Sequence, residues 1–201
     1  MPVKESIRAM LAMGRHRLVP GRAVEVAELI LDRPRLAPQL IECLWDQDPG
    51  VANRAADALE RLTFHLPRLL DPWKAPLLGL LAEATQNKHR WNLALVIPRL
   101  RLSVPECRRA ANTLKKWLED PSSIVKTLAL QGLADLTAQD PSLLPEVIDL
   151  LRILGRSGTP AMRARSRHLL LELDPPNGKP PRRRVFPTGR PPLVPRVPRS
   201  R

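Results

Sequence analysis

The chain has 201 residues, with 33 Lys and Arg against 20 Asp and Glu, 23 Pro, 9 Gly, four Trp, two Phe and no Tyr. Aromatic residues make up only 3%, which leaves little of the bulky material that half-buried strands use, whereas Leu, Ala, Arg and Glu are good helix formers. The composition therefore argues against a β-rich fold and predicts an all-α one; no stretch reaches the roughly 20 apolar residues of a membrane span, and about 200 residues suit one structured unit.

Residues 1–20 read as an N-terminal capping helix at about 3–13 and a loop. Glu5, Gly14 and Pro20 in this Arg-rich stretch argue against a transit peptide. Over residues 21–173 the prolines mark out a repeat. The segment PRLAPQLIECL at 34–44 returns as PSLLPEVIDLL at 141–151, and the Pro-x-x-x-Pro frame recurs as Pro72 and Pro76. A partial copy has Arg101 in the first place and Pro105 in the second. Proline suits the first turn of a helix, where its missing N–H has no partner to lose, so Pro38, Pro76, Pro105 and Pro145 are predicted to open four equivalent second helices of helix pairs. Their first helices are predicted to start at Asp48-Pro49, Asn87, Asp120-Pro121 and Thr159-Pro160, where an Asp, Asn or Thr side chain can cap the free amides. Within 106–118, Cys107, Ala110, Ala111, Leu114, Trp117 and Leu118 share one helical face, and Leu144, Val147, Ile148, Leu151 and Leu154 form a matching stripe. Val125, Leu128, Ala129, Gly132, Leu133 and Leu136 do the same, with Ile124 and Leu130 widening the surface as a stacked array requires. From 174 to 201 the chain carries eight Lys and Arg against Asp174 alone, together with nine prolines, and reads as a disordered basic tail.

The run from Asp48 through Leu59, DPGVANRAADAL, and more weakly the run from Asp120 through Leu133, resemble the HEAT-repeat family in its short bacterial form. The resemblance covers about 21–173 and implies an all-α, right-handed α-α superhelix of four to five helix pairs, the helix at 160–173 closing the stack. Its 29-residue interval between Pro76 and Pro105 is shorter than the family's usual spacing. The family pattern specifies a fold, not an activity.

Reactive constellations are missing from the sequence. It has no phosphate-binding Gly-rich loop, no H-E-x-x-H and no G-x-S-x-G. His16, His65, His89 and His168 are scattered, so no metal and no cofactor are expected, and the chain is read as a non-enzyme. Asp46/Asp48 and Glu119/Asp120 sit beside turns, where capping explains them. Cys43 and Cys107, 64 residues apart, read as buried thiols of a cytoplasmic protein. Alkylpurine DNA glycosylases built from HEAT-like repeats place a Trp four residues before a catalytic Asp; here Trp91 is followed at that distance by Leu95, and Trp45, Trp73 and Trp117 have no such Asp either. Trp45 and Trp117 end apolar stripes and are expected in the core, whereas Trp73 and Trp91 lie near helix starts and are expected to be partly exposed.

The candidate binding residues are basic. Arg108, Arg109, Lys115 and Lys116 occupy the polar face of a second helix, which the resemblance places on the concave surface; Arg163 and Arg167 flank the last helix, and Arg182, Arg183 and Arg184 stand in the tail. The expected function is a monomeric scaffold that binds a partner protein through its curved surface, with the tail adding electrostatic affinity. The alternative is a HEAT-like protein that holds nucleic acid by the basic face and tail, related to those alkylpurine DNA glycosylases but lacking their Trp-x-x-x-Asp catalytic pair.

Overall fold

The computed structural model describes residues 5–13 and 21–175, and among them every regular element is helical. Packing divides this chain between Leu70 and Asp71 into two compact units, where the sequence suggests one. The division falls inside a 3-10 segment, Pro67–Trp73, whose Pro72 removes a backbone donor.

The first unit holds α1 (Ile7–Ala12), α2 (Ala23–Asp32), α3 (Ala37–Glu42) and α4 (Pro49–His65). Helix α4 packs on the other three and is buried continuously from Gly50 to Glu60. Asp48 caps it as its sequence predicts, accepting the Gly50 amide at 2.7 Å with Pro49 at the first position. Two of its arginines are held by polar partners. Arg54 Nε donates to the Leu11 carbonyl that ends α1, and Arg61 Nε stands 3.2 Å from Asp57 Oδ2. Helix α2 has no start signal of the expected kind, because its N-cap is Arg22, which makes no capping hydrogen bond. Instead, Arg22 pairs with Glu5 at 2.7 Å and Glu25 at 2.9 Å.

The second unit contains α5 (Lys74–Glu83), α6 (Asn87–Val96), α7 (Val104–Lys116), α8 (Ser123–Leu136), α9 (Leu144–Ser157) and α10 (Pro160–Leu173). Helix α8 packs against α6 on one side and α10 further along the chain, while α7 packs against α5 and α8, and α9 against α8 and α10. The core is Leu-rich, with Leu77, Leu81, Leu93, Leu114, Leu133, Leu151 and Leu169 all buried, while Leu128, Leu144, Ile148 and Leu154 of the predicted stripes are half-buried. Ile124, expected to widen the apolar surface of α8, is instead half in water, as are Ile153 and Leu171.

The proline frames have a simple local form. Pro34 and Pro141 each open a 3-10 turn, and Pro38 and Pro145 stand in the first turn of the α-helix that follows. Pro105 is likewise in the first turn of α7, and Thr159 caps α10 through the Met162 amide. Two starts differ from expectation. The cap of α6 is Gln86, without a side-chain bond, and that of α8 is Ser122, two residues beyond Asp120. Asp120 instead accepts the Ser122 amide at 2.7 Å, forming the turn that precedes the helix.

Trp45 corrects another expectation: it is 48% exposed, while Trp117 is buried at 6%. Both tryptophans sit in 3-10 turns, Cys43–Trp45 and Trp117–Glu119, where each residue turns about 120° instead of the 100° of an α-helix. The neighbours then decide the outcome. Arg90 lies 5.6 Å over the Trp117 ring, and the described residues form no such contact at Trp45. Both cysteines are free and buried, and burial pushes the Cys43 thiol up to about 11. No helix among the described residues is long and apolar enough to cross a membrane. Residues 1–4, 14–20 and 176–201 lie outside the described chain, and with them His16, Arg182, Arg183, Arg184 and nearly all of the tail.

Candidate functional site

The basic residues of α7 are sorted by their neighbours. Arg108 Nε is 3.2 Å from Asp140 Oδ2, with Nη2 3.3 Å from Ser142 Oγ, and Lys115 Nζ is 2.8 Å from Glu146 Oε1. Arg109 and Lys116 are exposed, and no ion pair joins either to an acidic group among the described residues. On α10, Arg163 is half-buried and donates to the Gly158 carbonyl at 3.0 Å, while Arg167 is exposed. Thus the six described candidates fall on two helices, and only Arg109 and Lys116 combine a shared helical face with a free head group on α7.

Four ion pairs of the second unit follow a rule that sequence reasoning missed. Lys74 pairs with Glu106, Arg90 with Asp120, Arg108 with Asp140 and Lys115 with Glu146, each base meeting an acid 30 to 32 residues further on. Each pair joins a helix to the helix two further on or to the turn before it. The available signal is that fixed separation, close to the proline interval, but a single basic residue gives no sign of which acid it will meet. A second overlooked repeat is Trp45-x-x-Asp48-Pro49 against Trp117-x-x-Asp120-Pro121, although its two aspartates act differently, Asp48 capping α4 and Asp120 forming the turn before Ser122 caps α8.

A groove of about 320 Å³ runs between α5 and α7. Its α5 wall is Ala75, Leu78, Gly79 and Ala82, four residues at i, i+3, i+4 and i+7 that present apolar atoms; its α7 wall includes Glu106, Arg109, Ala110 and Thr113. The helices enter side by side, because Lys74 Nζ at the start of α5 is 3.0 Å from Glu106 Oε2 in the first turn of α7. The same carboxylate accepts the Ser103 amide at 2.7 Å and the Ser103 hydroxyl at 2.8 Å. These contacts, the Ser103 amide first and Lys74 next, hold the Glu106 carboxyl down to about 2 from its ordinary 4.5.

A pH dependence follows. A depressed carboxyl stabilises the fold fully above its unfolded value and loses that contribution as pH falls from about 4.5 toward 2. Glu106→Gln is expected to lower stability at pH 7 and to flatten the decline between pH 5 and about pH 2.5, measured as urea midpoints across that range. An unchanged acid limb would show that Glu106 contributes nothing to it.

A second depression, about 360 Å³, lies in the first unit among Ser6, Arg8, Gln39, Glu42, Cys43 and Asp46. Arg8 fills its charge requirement internally, with Nε 2.6 Å and Nη2 3.1 Å from the Asp46 carboxylate. Trp73 and Trp91 are half-buried, and the Trp91 indole nitrogen is buried without a hydrogen-bond acceptor among the described residues. Among those residues no three His, Cys, Asp or Glu converge as metal ligands would. No protein-family model matches the chain, and no curated protein matches it significantly.

Proposed function

We propose that this chain is a non-catalytic HEAT-like scaffold: a right-handed α-solenoid of four to five helix pairs over residues 21–173 that binds a partner protein, as a cytoplasmic monomer, with the basic tail of residues 174–201 adding long-range attraction. The alternation of α6, α8 and α10 with α5, α7 and α9, joined by ion pairs about one repeat apart, supports the repeat reading. The observation that carries the binding reading is the α5–α7 groove, an apolar surface in water with an unpaired Arg109 on its rim.

Nucleic acid is the competing reading. Neutralisation of Arg108 and Lys115 by Asp140 and Glu146 argues against it, because a phosphate-tracking face needs several cations free to release counterions. Fluorescence anisotropy of a labelled duplex DNA and a structured RNA at about 50 and 200 mM salt tests the choice, using the full chain and two variants. A scaffold should bind these polyanions only through Arg182, Arg183 and Arg184, so that their replacement by Ala abolishes binding and Arg109→Ala with Lys116→Ala changes nothing. If the α7 double variant instead weakens binding and lowers the salt slope by about 2, the helical face is a phosphate site and the scaffold reading falls.

A further inference from the structure

The geometry points to one class of occupant for the α5–α7 groove: an acidic amphipathic helix of a partner protein. This rests on the scaffold reading and narrows it.

Gly79 is the first reason. It lies in the middle of α5, where glycine costs about 1 kcal/mol against alanine, yet a Cβ built there meets no atom within 4 Å. No neighbour among the described residues requires glycine there. Its effect is outward: between Leu78 and Ala82 the helix surface is notched to the backbone, so that a large apolar side chain of another molecule can seat there.

Charge supplies the second reason. At the groove entrance Lys74 and Glu106 neutralise each other, and Arg108 and Lys115 are occupied by acids of the following repeat. Arg109 remains on the groove wall, and Lys116, just beyond the lining residues, follows it seven residues and two helical turns on along the same side of α7, about 10 Å along the axis. The complementary ligand has an apolar stripe flanked by carboxylates at the same two-turn spacing. The chain's own basic tail carries the wrong sign for this rim, and two cations beside an apolar floor are too few to hold a nucleic-acid backbone.

The ligand's backbone gives the third reason. The groove walls are side chains of two intact helices, with no strand edge to receive an extended peptide, so a bound segment must satisfy its own amides and carbonyls. A helix does that.

The test uses a labelled peptide of about 18 residues, long enough for a helix, with Leu on one face at i, i+3, i+4 and i+7 and Glu beside them, and a second peptide with every Glu replaced by Lys. Anisotropy titrations are made with the full chain and with Gly79→Trp, Arg109→Glu and, as a distant control, Arg167→Glu. Circular dichroism verifies folding, and Gly79→Ala, which should fold at least as well as the parent, provides a milder filling of the notch. The Glu peptide is expected to bind at least 10-fold more tightly than the Lys peptide, to lose 10-fold or more with Gly79→Trp or Arg109→Glu, and to be unaffected by Arg167→Glu. Arg109→Glu should also improve binding of the Lys peptide. No binding of the Glu peptide up to about 1 mM, equal binding of both peptides, or indifference to both groove variants overturns the proposal. Such a failure leaves the scaffold reading to its own test with nucleic acids, since a partner could then use another face.

Discussion

Gly132→Ala is expected to destabilise the second unit by about 1–3 kcal/mol, even though alanine is the better helix former by about 1 kcal/mol. A Cβ at Gly132 would stand 2.5 Å from the Ala94 carbonyl oxygen and 2.9 Å from Leu114 Cδ1. Leu114 can shift, but the carbonyl belongs to the α6 backbone, so relief requires α6 and α8 to separate and loosens the contacts of both. Gly79→Ala makes the contrast within one protein: the same substitution in another helix, with open space above it, should raise stability by up to about 1 kcal/mol. Urea unfolding followed by circular dichroism measures both. Equal effects at the two sites would mean that α6 and α8 do not approach backbone to backbone.

The second large effect is expected at Asp120, which is 4% exposed. Its carboxylate accepts the Ser122 amide and pairs with Arg90, whose Nε also donates to the Ala84 carbonyl at 2.8 Å and whose guanidinium covers Trp117. One side chain thus fixes the turn before α8, the end of α5 and the cover over an indole. Asp120→Ala strands a partly buried cation and an unpaired amide, and should cost about 3 kcal/mol. Asp120→Asn, which keeps an acceptor for the amide, should cost less. A double-mutant cycle with Arg90→Ala should return a coupling of at least about 1 kcal/mol; a coupling near zero would reduce the pair to a coincidence of packing.

Much of the second unit is readable in the amino-acid pattern. Helix starts at Pro105, Pro145 and Thr159 depend on a single residue's backbone or side chain, and the apolar faces of α7 and α9 depend on local spacing alone. What stays hidden is set by neighbours from other helices. Trp45 and Trp117 end similar runs and occupy the same kind of turn, but only Trp117 has an arginine from α6 across its ring. Arg108 and Arg109 are adjacent and look equivalent as phosphate contacts, yet one meets Asp140 from the next loop and the other faces the groove. Helix α2 is hidden for a local reason, since Arg22 carries no capping oxygen. The tail's charge is plain in the sequence, and its role rests on the binding experiments.

The main helix contacts of the second unit join elements no more than two helices apart along the chain. Among the described residues no distant element has to be captured before packing begins, so little loop entropy stands in the way and this half of the protein should assemble fast. The same locality gives opening a direction. Among the described elements helix α10 leans mainly on α8 and α9, so the terminal pair can peel away while α6 and α8 remain docked, and amide exchange should be quickest at that end and slowest where α6 meets α8.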